Sequence, residues 1–129
     1  MPASNYLRGK VIDGTVRGLT YTAPAAVYVA LHTADPTAGA TAATEVSAGW
    51  YARQAATFAA QGTAGQTTNS NTITYSGVTA GPIAVTHFSV WDAATIGNML
   101  YFAPLSASKT FSTTDVPSWL PGQLAVTAT

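Results

Sequence analysis

Apolar and polar positions follow two different periods along the chain, and the change between them divides it. Residues 4 to 17 carry helical spacing, with Ser4 as a capping residue and Leu7 and Val11 four apart on one face. The spacing predicts a short helix. Gly9, Gly14 and Gly18 each weaken it by about 1 kcal/mol relative to alanine, so it needs a surface to pack on. From Val27 onward the pattern is that of strands. The run 27 to 32 favours β-structure and stops at Ala34-Asp35-Pro36-Thr37, where proline presets φ and aspartate bonds its own backbone.

Further strands are expected at residues 51 to 59, 72 to 76, 83 to 91, 99 to 102, 109 to 112 and 123 to 127. In the strongest of these, Ile83, Val85, His87, Ser89 and Trp91 alternate with Ala84, Thr86, Phe88 and Val90. Residues 37 to 49 and 62 to 71 lack periodicity and read as surface loops, and residues 117 to 122 as a turn region. The fold class is therefore all-β: a single β-sandwich or jelly-roll-like domain of about six to eight strands, residues 19 to 129, preceded by an N-terminal helical arm, residues 1 to 18. No internal repeat of 20 to 50 residues suggests a solenoid or propeller.

Composition narrows what such a domain can do. Charged residues make up 8% of the 129, against about 25% in an ordinary soluble domain, and five bases balance five acids. Five scattered bases supply a nucleic-acid interface poorly, and a polybasic membrane patch fails for the same reason. The apolar runs are far shorter than a bilayer span, and the first residues lack the basic and apolar regions of a secretory signal, so a soluble protein made in a cytoplasm is expected. There is no cysteine, hence neither disulfide nor thiolate metal site. A neutral, charge-poor surface favours close association with other copies or partners.

Candidate chemistry is sparse. His32 and His87 are the bases that could work at neutral pH, and each lies within a strand, where a satisfied sheet histidine is the simpler reading. No Gly-x-Ser-x-Gly elbow and no phosphate-cradling glycine loop occur, and the histidines lack metal-ligand spacing. Asp35, Glu45, Asp92 and Asp115 fall in turns or loops, where capping explains them. No enzyme activity, cofactor or metal is expected. Arg53, in an apolar strand, is expected to pair with Glu45, to face solvent or to make an intersubunit contact. Trp50, Tyr51, Trp91 and Trp119 are core or interface anchors, with a sugar-stacking platform as the alternative.

Several blocks, taken in order, carry a resemblance. Ser4-Asn5-Tyr6-Leu7, the run from Val27 through Leu31-His32-Thr33-Ala34-Asp35-Pro36, Glu45-Val46-Ser47 and Tyr51-Ala52-Arg53-Gln54 come first. Thr86-His87-Phe88, Trp91-Asp92-Ala93-Ala94, Gly97-Asn98 and Ala107-Ser108-Lys109-Thr110 follow. Together they resemble a small family of phage virion proteins usually described as tail-fibre-like, with capsid-associated members. That resemblance implies a structural role in the virion. The sequence departs from the family pattern in its extra helix glycines and in Pro117-Ser118-Trp119-Leu120-Pro121.

The expected function is a capsid decoration or cement protein that binds the major capsid protein or another virion protein and its own neighbouring copies. A trimer would suit three-fold sites. The alternative is a tail-fibre or baseplate-associated receptor-binding module, and a free carbohydrate-binding module is a third class. The arm holds three bases against one acid and the remainder two against four, so the expected interface lies mainly on the arm. Its candidates are Tyr6, Leu7, Arg8, Lys10, Val11 and Arg17, with Arg53 and Trp119 from the β-domain.

Overall fold

In a computed structural model, which describes residues 2–39, 42–62 and 65–128, the two segments with the strongest strand signal pair antiparallel at the centre of the main sheet. They are β1 (Val27–His32) and β5 (Ile83–Trp91). With β2 (Gln54–Ala56) and β6 (Met99–Phe111) they form a four-stranded antiparallel sheet in the order β2-β1-β5-β6. Two short ribbons complete the β-structure. One pairs β3 (Gln66–Thr68) with β8 (Ala125–Thr127), the other β4 (Ile73–Thr74) with β7 (Ser118–Trp119). The α-helix α1 (Asn5–Val16) stands at the N-terminal side.

The period of two in β1 sends Val29 and Leu31 to one face and Ala30 to the other. On the first face Val29, Leu31, Val85 and Phe88 meet Ile73 and Tyr75 from the β4 segment and Leu124 beside β8, so the ribbons act as the second layer of an unequal sandwich. An internal line of rings runs through this layer: Tyr51 stacks on Tyr75 with centroids 6.0 Å apart, and Trp119 stands edge-on to Tyr75 at 6.2 Å and to Phe88 at 5.9 Å. On the second face Ala30, Trp91, Met99 and Phe102 close a smaller cluster, and Ala3, Leu7 and Leu100 another.

Several expectations change. Residues 99 to 102 and 109 to 112 are one strand, because β6 runs on through an irregularity: it advances from Pro104 to Lys109 while β5 retreats only from His87 to Val85. That shift also breaks the alternation expected in β5, since Val85 and Phe88, three apart, now share the main core. The segment 51 to 59 narrows to Gln54–Ala56, since Tyr51 and Arg53 commit their side chains to Glu45 instead. Within the loops expected at 37 to 49 and 62 to 71, residues 40, 41, 63 and 64 lie outside the described residues. Val46 of the first is a buried core residue, and Gln66–Thr68 of the second is a strand whose polar composition hid it.

The outer edge of β6 is covered at its start, where Phe102 N–H donates to Pro2 C=O at 3.3 Å and Ala3 bridges Tyr101. The next outward main-chain position after Phe102 is Pro104, which has no N–H to offer, and Lys109 lies farther along. Both features discourage pairing by a foreign strand.

Tyr75 ties the layers together: its ring is buried among the aromatics and its hydroxyl donates to Val29 C=O at 2.7 Å across the core. Tyr75→Phe removes that bond and should cost about 0.5–1.5 kcal/mol in urea unfolding, whereas Tyr75→Ala should cost about 3–5 kcal/mol. An equal, small effect of both would remove the tyrosine from this role.

Candidate functional site

Two places concentrate the polar and charged groups. The first is built around Arg53, just before β2. Its side chain is only 5% exposed, and it makes a forked pair with Glu45: Nη2 to Oε1 at 2.8 Å and Nε to Oε2 at 2.9 Å. Nη1 donates to Ala93 C=O at 3.1 Å and Ile96 C=O at 2.7 Å, both in the turn between β5 and β6. The guanidinium carbon lies 3.8 Å from the centroid of the Trp91 ring. A planar fork with five donors is the group that can do all of this at once.

The surrounding groups extend the network. Tyr51 OH donates to Glu45 Oε2 at 2.6 Å and accepts from Leu31 N–H at 3.1 Å. His32, fully buried, holds Thr44 Oγ1 at 2.9 Å through Nδ1 and Ser89 Oγ at 2.6 Å through Nε2. A neutral imidazole serves one of these as donor and the other as acceptor. Trp91 Nε1 donates to the same Ser89 Oγ at 2.6 Å. Burial pushes His32 down to about 4, against a smaller opposite pull from the Glu45 charge. Burial also raises Glu45, but the bonds from Arg53 and Tyr51 outweigh it and hold the carboxyl below its ordinary value. Burial, then the Glu45 bond, raises Tyr51.

The turn gripped by Arg53 is shaped by its own residues. Asp92 accepts from Asn98 N–H at 2.7 Å and from Asn98 Nδ2 at 3.0 Å. Gly97 adopts φ +77°, and a Cβ there would meet Asp92 Oδ1 at 2.5 Å, so the position requires glycine. The turn presents Ile96, 87% exposed, at its tip.

The second place is the arm. Ser4 is buried and works three ways: its N–H donates to Leu100 C=O at 2.8 Å, its hydroxyl donates to Met99 C=O, and its Oγ accepts from Leu7 N–H at 3.1 Å as the helix cap. Asn5 N–H adds a bond to Ala38 C=O at 2.9 Å. Leu7 is the one buried residue of α1. Beyond it the chain leaves the body, and Val11, Ile12, Val16 and Leu19 are exposed, Val16 by 76%. Gly18 at φ +69° ends the helix, with Leu19 N–H bonded to Asp13 C=O at 2.9 Å.

The residues singled out from sequence are thus divided. Tyr6, Leu7, Arg8, Lys10, Val11 and Arg17 do share one helix. Leu7 is closed against β6 of its own chain, Lys10 lies 5.6 Å over the Tyr6 ring, and Arg17 pairs with Asp13 at 2.7 Å. Arg53 takes the first of its three expected roles, the Glu45 pair. Trp119 is half-buried in the aromatic line, and Trp50 and Trp91 are buried, so the four aromatics form no sugar platform. Sequence reasoning passed over Ser4 as an anchor and Ile12, Val16 and Leu19 as exposed apolars, although 12, 16 and 19 have helical spacing. Among the described residues no group of three or more His, Asp or Glu could hold a metal ion, and no helix is long and apolar enough to cross a membrane.

Two outcomes are expected from the buried network. Arg53→Met strands the Glu45 carboxylate and should cost about 3–5 kcal/mol in chemical denaturation, while Arg53→Met with Glu45→Leu should recover most of that loss. Acid should weaken the fold. His32 binds its proton less readily folded than unfolded, so its contribution is complete above about pH 6.5 and is lost toward pH 4. The lowered Glu45 adds a loss in the same direction below its ordinary value of 4.5. Stability should fall between pH 6.5 and 4 with a slope of up to about 1.4 kcal/mol per pH unit, and His32→Gln should flatten that interval. An unchanged slope in the variant would assign the acid loss elsewhere.

No curated protein matches the sequence. The family model described as Podophage GP4 fiber I protein gp80 matches residues 2–127, from the Pro2 contact on β6 to the last residue of β8. That span takes in the helix cap, the Arg53 network and both ribbons, and agrees with the resemblance in the ordered blocks. The chain belongs to the Podophage GP4 fiber I protein gp80 family, a family of phage tail-fibre-like virion proteins.

Proposed function

We propose that this structural protein of the virion is a component of a phage fibre that carries out no reaction of its own and works through protein contacts. The family match supports the fibre reading. The observation that carries the proposed mode of action is the division of labour within the chain. The polar groups of the β-body are spent on holding that body together, as in the Arg53 and His32 networks. Apolar side chains are left in solvent on the arm, at the Ile96 turn and at Val116 and Leu120 on either side of β7. A chain built this way contributes a rigid block and points of attachment. His32, buried with both ring nitrogens engaged, is poorly placed to serve as a general base.

A second reading is the capsid decoration or cement protein. It is favoured by the absence, among the described residues, of any long helix or repeated strand unit that could serve as a shaft. In either reading the partners are other virion proteins and further copies of the chain, with a cyclic homo-oligomer as the proposed state and a trimer as its proposed order.

Antibody against this chain, applied to purified virions and viewed by electron microscopy, should label structures at the tail. Label confined to the icosahedral shell would sink the fibre reading in favour of decoration. Light scattering of the purified protein at micromolar concentration should give a mass above the 13.2 kDa of one chain, and a strict monomer would count against self-association.

A further inference from the structure

The tip of the turn between β5 and β6 is built to stand out and to stay still. Ile96 is 87% exposed, the most open of the large apolar residues among those described, and its backbone sits at φ +57°. A left-handed conformation at a β-branched residue is strained, and glycine adopts it without that cost. The strain is held in place. Arg53 donates to the carbonyls of Ala93 and Ile96, Asp92 accepts from Asn98 at both oxygens, and Gly97 leaves no room for a side chain. Ala94, Thr95 and Gly97 beside it are small and exposed, which makes the tip slim. A strained, rigid, apolar point in solvent adds nothing to its own core, so its use lies in a contact outside the chain.

The body of the same chain offers a place of matching character. A cleft of about 690 Å³ opens between the second half of β6 and the β7 layer, within the roughly 300–1,000 Å³ of sites that enclose a small guest. Val85, Phe88 and Leu124 give it a buried apolar floor, and Ser106, Lys109 and Val116 stand exposed around it. Lys109 lies 5.7 Å over the Phe111 ring and has no carboxylate at ion-pair distance among the described residues. The tip brings the complementary charge. Asp92 at its base is half-exposed, and accepting from Asn98 leaves its negative charge in place.

We infer that the Ile96 tip of one copy seats in the cleft beside β6 of a second copy. The inference rests on the proposed self-association of the chain and names the two patches that meet. A second copy is the occupant because both halves of the contact, the exposed tip and the open cleft, belong to this chain. Tip and cleft lie toward opposite ends of the β5–β6 hairpin, so one molecule does not close on itself. Each copy has one patch to give and a different one to receive, and such a head-to-tail contact closes into a ring where the rotation permits. Seating covers Ile96 and Val116 together, and a net charge of zero sets no repulsion between copies. The contact is made by side chains, so the Pro104 break in the β6 edge does not oppose it.

The test is sedimentation of the full-length chain over a range of micromolar concentrations, with melting temperatures taken at a dilution where it is monomeric. Wild type should associate, and Ile96→Asp should associate roughly tenfold or more weakly. Ile96→Gly is the sharper variant. It relieves the backbone strain, so the monomer should melt no lower while association falls by a similar factor. On the other side of the contact, Ser106→Trp should crowd the mouth of the cleft from an exposed position, and Lys109→Glu should weaken association more at low salt than at high salt. An equal mixture of Ile96→Asp and Ser106→Trp chains retains an intact cleft on one and an intact tip on the other. It should form dimers and nothing larger, although each variant alone stays monomeric. If wild type associates and the tip and cleft variants associate equally well, this contact is wrong while self-association stands. Loss in the tip variants without dimers in the mixture seats the tip elsewhere and also overturns the inference, as does a lower melting temperature for Ile96→Gly, which would tie the residue to its own fold. A strictly monomeric wild type overturns both the contact and the self-association it rests on.

Discussion

One guanidinium holds the β-body in register. Arg53 reaches Glu45 after the 3-10 turn (Ala42–Thr44), the Trp91 ring at the end of β5, and two carbonyls of the turn that leads into β6. Those groups come from three separate stretches, and the guanidinium ties them together. In a chain with five bases, placing one wholly inside the body is a large commitment. Its value lies in specificity: a charge pair this buried gains little net energy over a well-packed apolar pair, but it admits one arrangement of the loops. Tyr51 carries the Glu45 end of this network to the Leu31 N–H in β1, and next to it His32 makes a separate set of bonds to Thr44 and to Ser89 at the centre of the sheet.

This internal spending of polar groups explains the low charge in physical terms. The sandwich is small and unequal, and its second layer consists of strands of two or three residues. Short ribbons bring few ladder bonds, so side chains take over: Asn69 donates to Leu120 and Asn71 carbonyls and accepts from Leu124 N–H, and Gln123 accepts from Leu120 N–H. Asparagine and glutamine can satisfy backbone groups inside a protein without the desolvation cost of a charge. In the ribbon layer, uncharged polar residues thus take the place of salt bridges as joints.

How much of this was legible beforehand depends on which signal each part uses. The central strands, the helix and the all-β class rest on periodicity and propensity, and residues 27 to 32 and 83 to 91 were readable to the residue. The Arg53–Glu45 pair was open to inference because an arginine among apolar neighbours needs a counter-charge. The β3 strand was not legible, since Gln66, Thr67 and Thr68 have no apolar alternation and become a strand only by pairing with β8. Nor was the face switch in β5, which depends on how many residues the opposite strand inserts. Leu7 and Val11 share helical spacing but not an environment, because Leu7 is the one residue of α1 that is buried while Val11 is exposed.

The joint between Ser4 and β6 bears on the order of events during synthesis. The hydroxyl of residue 4 and its acceptor on residue 99 are 95 positions apart. While the ribosome makes the intervening segments, α1 has neither its cap partner nor the Leu100 wall, and as a glycine-weakened helix it has little reason to persist. It gains its fixed orientation only when the hairpin of β5 and β6 has closed, a non-local contact that comes late in folding. The exposed apolar side of the helix is therefore withheld until the body exists. Truncated or half-folded chains therefore lack the oriented helix, and only the closed body holds it at a fixed angle.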